Sequence, residues 1–400
     1  MQNHEIKSQF PIFSNNPGLV YLDNASTTQK PQRVIDSLVD FYTKYNANVH
    51  RGLYPIAEKA TNMYEEARKT LAKFINADPL EIIFTGGTTS GTNAIADSLF
   101  KSGLIPENPR VLLSDLEHHS SMLPWQQVPG AQLQYLPVNE NYEISGISSQ
   151  LSEKYDVVSL SHVSNVTGSV LNSDILKNLK TVNSKPITVL DCAQSISHLP
   201  IDVKSLGADF IVFSGHKIYG PTGVGIIWGR RELLEKMEPF DVGGGMIREV
   251  KRDKTEWAPL PEKFEAGTPP IAEAIALAEA VKFVQELGFE QIESHEQELR
   301  KELINELSKI EKLKIYHPNL EHKAAGVISF SVDGVHPHDL SQYLGDNNIC
   351  VRAGHHCTQI LHKEVFDISA TLRVSLGVYN SSEDISSFIE KLKKGIEVYS

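Results

Sequence analysis

The stretch IIFTGGTTSGTNAIADSL (Ile82–Leu99) runs from apolar residues through two glycines and several hydroxyls into a helix-forming segment. A short apolar run ending in glycine reads as a buried strand. The spacing after it reads as a helix. Glycines at such a junction let backbone N–H groups approach an anion, and a helix N-terminus favours negative charge. No lysine follows in the nucleotide-loop position, so the turn suits a small phosphate better than a nucleoside triphosphate. A plain strand–turn–helix connection has the same signature, so the rest of the chain has to decide.

Working outward, more buried strands appear: RVLLSD, DVVSLSHV, ITVLDCA, FIVFSG and GIIWG. Each ends in polar or glycine residues, and helical patterns separate most of them. In IAEKATNMYEEARKTLAKFI, Ala60, Met63, Tyr64, Ala67, Leu71, Phe74 and Ile75 recur at three- and four-residue steps. In SSEDISSFIEKLKKGIEVY, Ile385, Phe388, Ile389, Leu392 and Ile396 do the same, with Ser381 and Asp384 at capping-box spacing. Buried strands alternating with helices predict an α/β fold with a mainly parallel central sheet. Ligands in such folds gather beyond the carboxyl ends of the strands.

Near Gly288 the pattern changes to a charged helix, a strand pair (KIYHP, AGVISFSV), a further helix, RAGHHC and the final helix. This predicts a large domain over residues 21–288 and a smaller α+β domain from residues 1–20 and 289–400. A length of 400 residues suits two such units. With 22% charged residues and a net charge of −12, the chain lacks the basic balance that nucleic-acid binding needs. No apolar run is long enough for a membrane span, and the N-terminus has no signal-type apolar core. Three cysteines, Cys192, Cys350 and Cys357, make no disulfide framework, which fits a cytoplasmic protein.

The strand ends carry the chemistry. FIVFSGHKIYGPTGVGIIWG (Phe210–Gly229) puts Lys217 just past a strand among small residues, where a desolvated lysine can form a Schiff base. The strand read in ITVLDCAQS ends in Asp191, with Gln194 three positions on. An acid there can ligate a metal, cap a helix or hold a protonated heterocycle. LLSDLEHHSS places His118 and His119 after a strand, and SLSHVSNVTG places Asn165 after another. RAGHHCTQIL (Arg352–Leu361) leaves Cys357 open as metal ligand, activated nucleophile or buried thiol. A phosphate cradle, an acid, a lysine and a histidine on one sheet edge are together the parts that pyridoxal 5′-phosphate requires.

The sequence resembles class V, fold-type I pyridoxal-phosphate enzymes, and among them the SufS-type (group II) cysteine desulfurases, also called selenocysteine lyases. Nine motifs carry the resemblance in order: YLDNASTTQKP, NVHRGLY, GGTTSGTN, EHHSSMLPW, SHVSNVTG, DCAQS, SGHKIYGPTGVG, FEAGTPP and RAGHHC. It implies that Lys217 is the cofactor lysine, that Asp191 pairs the ring nitrogen and Gln194 the ring hydroxyl, and that His118 stacks on the ring. Thr88, Thr89, Ser214 and His216 would hold the phosphate. Thr268 would serve a partner subunit, implying a homodimer. Asn165 and Arg373 would bind the substrate carboxylate, and His50, Arg51 and Arg352 also match active-site positions. Cys357 matches the cysteine that takes sulfur from L-cysteine as a persulfide for iron–sulfur cluster assembly. His338, in VHPHD, matches a group that exchanges onto the zinc of a SufU-like acceptor, a SufE-like acceptor being the other kind. No resident metal is implied. Selenocysteine lyase or another class V aminotransferase-like activity is the alternative. Two departures stand out. Cys192 replaces the usual glycine, and the proline and methionine common after the last cysteine are missing.

Overall fold

The computed structural model describes residues 3–145, 153–172, 174–181 and 185–400. After a short strand β1 (Val20–Tyr21), seven strands form the main sheet: β2 (Ile82–Thr85), β3 (Arg110–Ser114), β4 (Gln132–Leu136), β5 (Val157–Ser161), β6 (Ile187–Asp191), β7 (Phe210–Ser214) and β8 (Gly225–Gly229). Their order is β2-β8-β7-β6-β5-β3-β4. β8 runs antiparallel to both neighbours, and the remaining ladders are parallel. The expected mainly parallel sheet is therefore present, with one reversed strand.

Alternate residues of each strand feed two apolar layers, as the pleat dictates. Ile211 and Phe213 face a layer with helices Pro55–Phe74 and Ile271–Leu287. Phe210 and Val212 face a layer with helices Thr88–Lys101 and His119–Gln126. Burial on both faces explains why these strands read as continuous apolar runs. β4 is the exception. It lies at the sheet edge, Gln132 is exposed and its middle residues are half-buried, so QLQYL gave no buried-strand signal.

Helix Ile271–Leu287 ends at Gly288, whose φ of 78° lets the chain turn at once into helix Phe289–Leu307. Between the main sheet and this point lies a hairpin of β9 (Ile247–Val250) and β10 (Thr255–Trp257). Beyond it, β11 (Leu313–Tyr316) and β12 (Val327–Val332) pair, β13 (Ile349–Cys350) joins β1, and β14 (Arg352–Gly354) and β15 (Thr371–Ser375) complete an antiparallel sheet of order β11-β12-β15-β14. Val20 and Leu22 pack with Leu299, Leu303 and Leu372 in the core beside that sheet. Phe10 instead meets Tyr219, Phe283 and Tyr379 edge-on, joining the N-terminus to the main layers. Ser381 and Asp384 form the expected capping box of the last helix.

One buried ion pair fixes the edge of the main sheet. Arg68 donates to both Glu265 oxygens at 2.7 and 2.8 Å and to the Ile82 carbonyl at 2.8 Å. Glu265 also accepts from the Phe84 N–H and the Tyr64 hydroxyl, each at 2.9 Å. Glu265→Ala leaves the buried guanidinium with the half-buried Glu65 as its remaining carboxylate partner, at 3.0 Å from Nε, and is expected to destabilise the fold by about 3 kcal/mol. Urea unfolding checks this, and a loss under about 1 kcal/mol contradicts it.

Candidate active site

The carboxyl ends of β5, β6 and β7 open into a pocket of about 250 Å³. Its walls bring together most of the residues singled out in the sequence. From the main sheet come Thr88, Thr89, His118, Asn165, Asp191, Gln194, Ser214, His216 and Lys217. From the β14–β15 side come Arg352, Cys357 and Arg373.

At the phosphate end, Gly87 caps helix Thr88–Lys101 with φ 134°. A Cβ there would meet Ser214 Oγ at 3.0 Å, so the close approach of turn and β7 needs glycine. The Thr88 N–H donates to Ser214 Oγ at 2.8 Å, and the two hydroxyls lie 2.9 Å apart. These groups, with Thr89 and His216 beside them, form an anion cradle at a helix N-terminus.

Asp191 ends β6, and its carboxylate is fixed by the Ser121 hydroxyl at 2.7 Å and the Ala193 N–H at 2.8 Å. Gln194 donates to the Ala25 carbonyl at 2.8 Å, which ties DCAQS to YLDNAS. His118 caps its helix, with Nδ1 accepting from the Ser120 N–H at 3.1 Å. Burial, reinforced by the nearby Lys217 charge, pushes its imidazole down to about 3, so the ring is neutral. Enclosure likewise pulls the Lys217 amine down to about 8, partly opposed by the Asp191 carboxylate. A lysine so placed can act as nucleophile or base near neutral pH.

The opposite wall is cationic. Arg352 and Arg373 are register partners across β14 and β15, which sends both side chains to one face. Arg373 is buried. It donates to the Asn165 carbonyl and the Ser26 hydroxyl at 2.8 Å each and to Asp23 at 3.3 Å. Its Nε is buried with no partner among the described residues, which is how a site awaiting an anionic ligand looks. Burial lowers its guanidinium to about 10, against the pull of Asp23. Cys357 follows β14 with an exposed side chain. His356 and Cys357 both hold left-handed backbone, φ 50° and 59°, costing about 1–2 kcal/mol each. Among the described residues, no group of three or more His, Cys, Asp or Glu is placed to hold a metal ion.

Four other predicted residues lie elsewhere in this chain. Thr268 lines a second, larger cavity of about 1180 Å³. His50 pairs with Glu65 at 3.0 Å and lies edge-on to Tyr64, and Arg51 is exposed. His338 lies in the first turn of helix Pro337–Asp346, exposed and stacked on His336. Cys192 is fully buried, and burial pushes its thiol far up, as for an inert core residue.

Several site residues carried no sequence assignment. Asp23 bridges Arg352 and Arg373. Lys30 is enclosed and lowered to about 7 by burial, and it donates to the carbonyls of Thr28 and His216. Glu117, raised to about 7 by burial, accepts from the Ser114 and Ser161 hydroxyls behind Asp191. All three sit inside quoted motifs, but nothing in one sequence separates a polar residue that supports a site from one in solvent.

A lysine, a fixed acid, a neutral histidine and an anion cradle around one pocket fit pyridoxal 5′-phosphate. Comparison with known proteins agrees in family and fold. The model of "Aminotransferase class-V" matches residues 20–388. A "Probable cysteine desulfurase" of Halalkalibacterium halodurans is 43% identical, covering 100% of this chain and 99% of its own. One of Staphylococcus aureus is 41% identical over 99% and 97%. Among solved structures, the apo cysteine desulfurase of Thermococcus onnurineus superposes with a TM-score of 0.93 at 35% identity, covering 99% of this chain and 98% of its own. The cysteine desulfurase CsdA of Escherichia coli gives 0.91 at 31%, covering 100% of both. The chain belongs to the class-V aminotransferase family, with the pyridoxal-phosphate fold-type I architecture of its cysteine desulfurases.

Proposed function

We propose that this protein is a SufS-type cysteine desulfurase, which converts L-cysteine to L-alanine and collects the sulfur on Cys357 for iron–sulfur cluster assembly. The observation that carries the reading is the placing of Lys217, Asp191 and Cys357 around one pocket. Thr88, Thr89, Ser214 and His216 would hold the cofactor phosphate, Asp191 its ring nitrogen and Gln194 its ring hydroxyl. His118, kept neutral, would lie against the ring. Bound pyridoxal 5′-phosphate supplies an electron sink for negative charge at the substrate α-carbon.

The chain's own groups do the rest. Arg373, with its unpartnered Nε, and Asn165 orient the substrate carboxylate, and Arg352 adds charge at the mouth. Lys217 takes the α-proton and is placed to return it. The Cys357 thiolate attacks the substrate sulfur. Its electron pair forms the S–S bond, while the electrons of the broken C–S bond pass to carbon, which is protonated to give alanine. Incubating the purified holoenzyme with L-cysteine tests the reading. Alanine is expected in step with persulfide, or with sulfide where an added thiol reduces that persulfide, and its absence, or transamination of L-alanine with a keto acid instead, defeats it.

The same reading makes the protein a homodimer. Thr268 lies away from Lys217 in a cavity also lined by Phe41 and Tyr42. Nearby in sequence to His50 and Arg51, Leu53 is 94% exposed, and Tyr54 and Ile56 are exposed with it. Tyr42, which lines the cavity, is exposed as well, and exposed apolar residues of this kind suit a subunit contact. His50, Arg51 and Thr268 would then complete the second copy's pocket. Packing of Val20 with the C-terminal sheet supports a division into residues 21–288 and a smaller unit of 1–20 with 289–400, a boundary that Leu22 and Phe10 cross in opposite directions.

Exposed His338 is the group offered to a zinc-bearing, SufU-like acceptor. With such an acceptor, His338→Ala is expected to lower acceptor-stimulated turnover roughly tenfold while basal alanine formation stays unchanged. Unchanged stimulation removes the assignment and favours a SufE-like acceptor.

A further inference from the structure

His118 and His119 are adjacent in the chain, but His118 lines the pocket while His119 bonds the segment that carries Cys357. His118 faces the Lys217 side. The His119 N–H donates to the Cys357 carbonyl at 2.8 Å, and its ring Nε2 accepts from the Gln359 N–H at 3.2 Å. Two bonds from one residue thus bracket Thr358 and hold the segment just after β14. Asn165 adds a bond to the His356 carbonyl at 2.8 Å. Within the segment, His355 Nδ1 accepts from the Cys357 N–H at 3.1 Å. The His119 and His355 rings lie 5.7 Å apart.

These bonds meet a specific need. Two consecutive residues with side chains, His356 and Cys357, stand in left-handed backbone. Such a conformation persists only when the surroundings over-determine it. Cys357 also follows a short edge strand of three residues, so β14 alone does not fix where its side chain points. We propose that His119 is a positioning residue for Cys357, latching the sulfur-collecting loop to the segment that places His118. The latch rests on the reading of Cys357 as sulfur acceptor. It requires a ring nitrogen with its lone pair on the Gln359 N–H. Burial and the neighbouring His355 hold His119 below the usual histidine range, which keeps that acceptor unprotonated.

The test compares holoenzymes carrying His119→Phe, His119→Gln and Cys357→Ser with the native protein. Phenylalanine keeps the ring but removes the acceptor. A glutamine oxygen reaches about as far as Nε2. Single-turnover persulfide formation on Cys357 is expected to slow about tenfold in His119→Phe, the worth of one strong hydrogen bond. Alkylation of Cys357 by iodoacetamide is expected to change with it. The cofactor absorbance and the L-cysteine concentration at half-saturation stay as in the native protein. His119→Gln is expected to recover to within about threefold.

A native rate in His119→Phe overturns the latch, and so does a glutamine variant as slow as the phenylalanine one. Should the phenylalanine variant fail to fold, hydrogen exchange on the native holoenzyme decides. A Gln359 amide protected from exchange in the native holoenzyme and in His119→Gln supports the latch, and an amide exchanging at the open-loop rate overturns it. Cys357→Ser separates the two claims. Unchanged alanine turnover in that variant defeats the sulfur-acceptor reading itself. A dead Cys357→Ser beside a native-like His119→Phe defeats only the latch.

Discussion

Replacing Lys217 with alanine is expected to reduce alanine formation from L-cysteine about 10³-fold or more. A lost general base alone costs about 10²–10⁴-fold, and this side chain has a second role as the covalent attachment point of the cofactor. Neighbouring amines cannot take over. Lys30 is also enclosed, but its Nζ is bonded to the carbonyls of Thr28 and His216. His118 and His216 are held low by burial, to about 3 and about 4, and are poor bases. Visible absorbance and alanine yield measure the effect, and retention of more than a tenth of native turnover contradicts it. The lowered amine also fixes a pH dependence in the cofactor-free protein. Only the unprotonated amine reacts, so capture of added pyridoxal 5′-phosphate should speed up as pH rises and level off beyond about 8, the value to which burial pulls Lys217. An ordinary lysine would go on gaining rate past pH 10.

The parts of this molecule that were legible in its sequence are those whose signal is local. β2, β5, β6, β7 and β8 are buried on both faces, so each wrote itself as an apolar run. Ser381 and Asp384 announce a helix start because a cap is made three residues apart. The reversal of β8 was not legible, since an antiparallel strand buried on both faces has the same composition as a parallel one. The edge strand β4 was lost for want of burial. In the site, the lysine, acid and glycine turn could be found because the ends of parallel strands share an edge. Asp23 could not, because its contacts with Arg352 and Arg373 join residues more than 300 positions apart. The clasp between His119 and Gln359 spans 240 positions and was hidden for the same reason. The nine motifs marked where to look, but how one motif grips another is a property of the folded chain.

Cys357→Ser is expected to lower alanine formation from L-cysteine about 10³-fold, while the cofactor absorbance and substrate binding persist. Serine has nearly the same size and accepts the left-handed backbone at position 357 about as well as cysteine does. The backbone bonds to His119 and His355 survive, because they use the Cys357 carbonyl and N–H. What disappears is the nucleophile. A hydroxyl does not ionise near neutral pH and forms no stable bond to sulfur, so the substrate C–S bond has nowhere to deliver its sulfur. The exposure of Cys357 fits this role from both sides. A sulfur collector must reach into the pocket to receive and out of it to hand on. Selenium separates this reading from its nearest rival. Loss of elemental selenium from L-selenocysteine, with alanine left behind, needs no attacking thiol, so Cys357→Ser should form alanine and selenium from it at close to the native rate while failing on L-cysteine. If both substrates fail equally, Cys357 is acting on the pocket's structure and not as a sulfur acceptor. If both proceed unchanged, the pocket of Lys217 and Asp191 works alone, and the chain is a lyase or aminotransferase-like enzyme whose exposed cysteine takes no part.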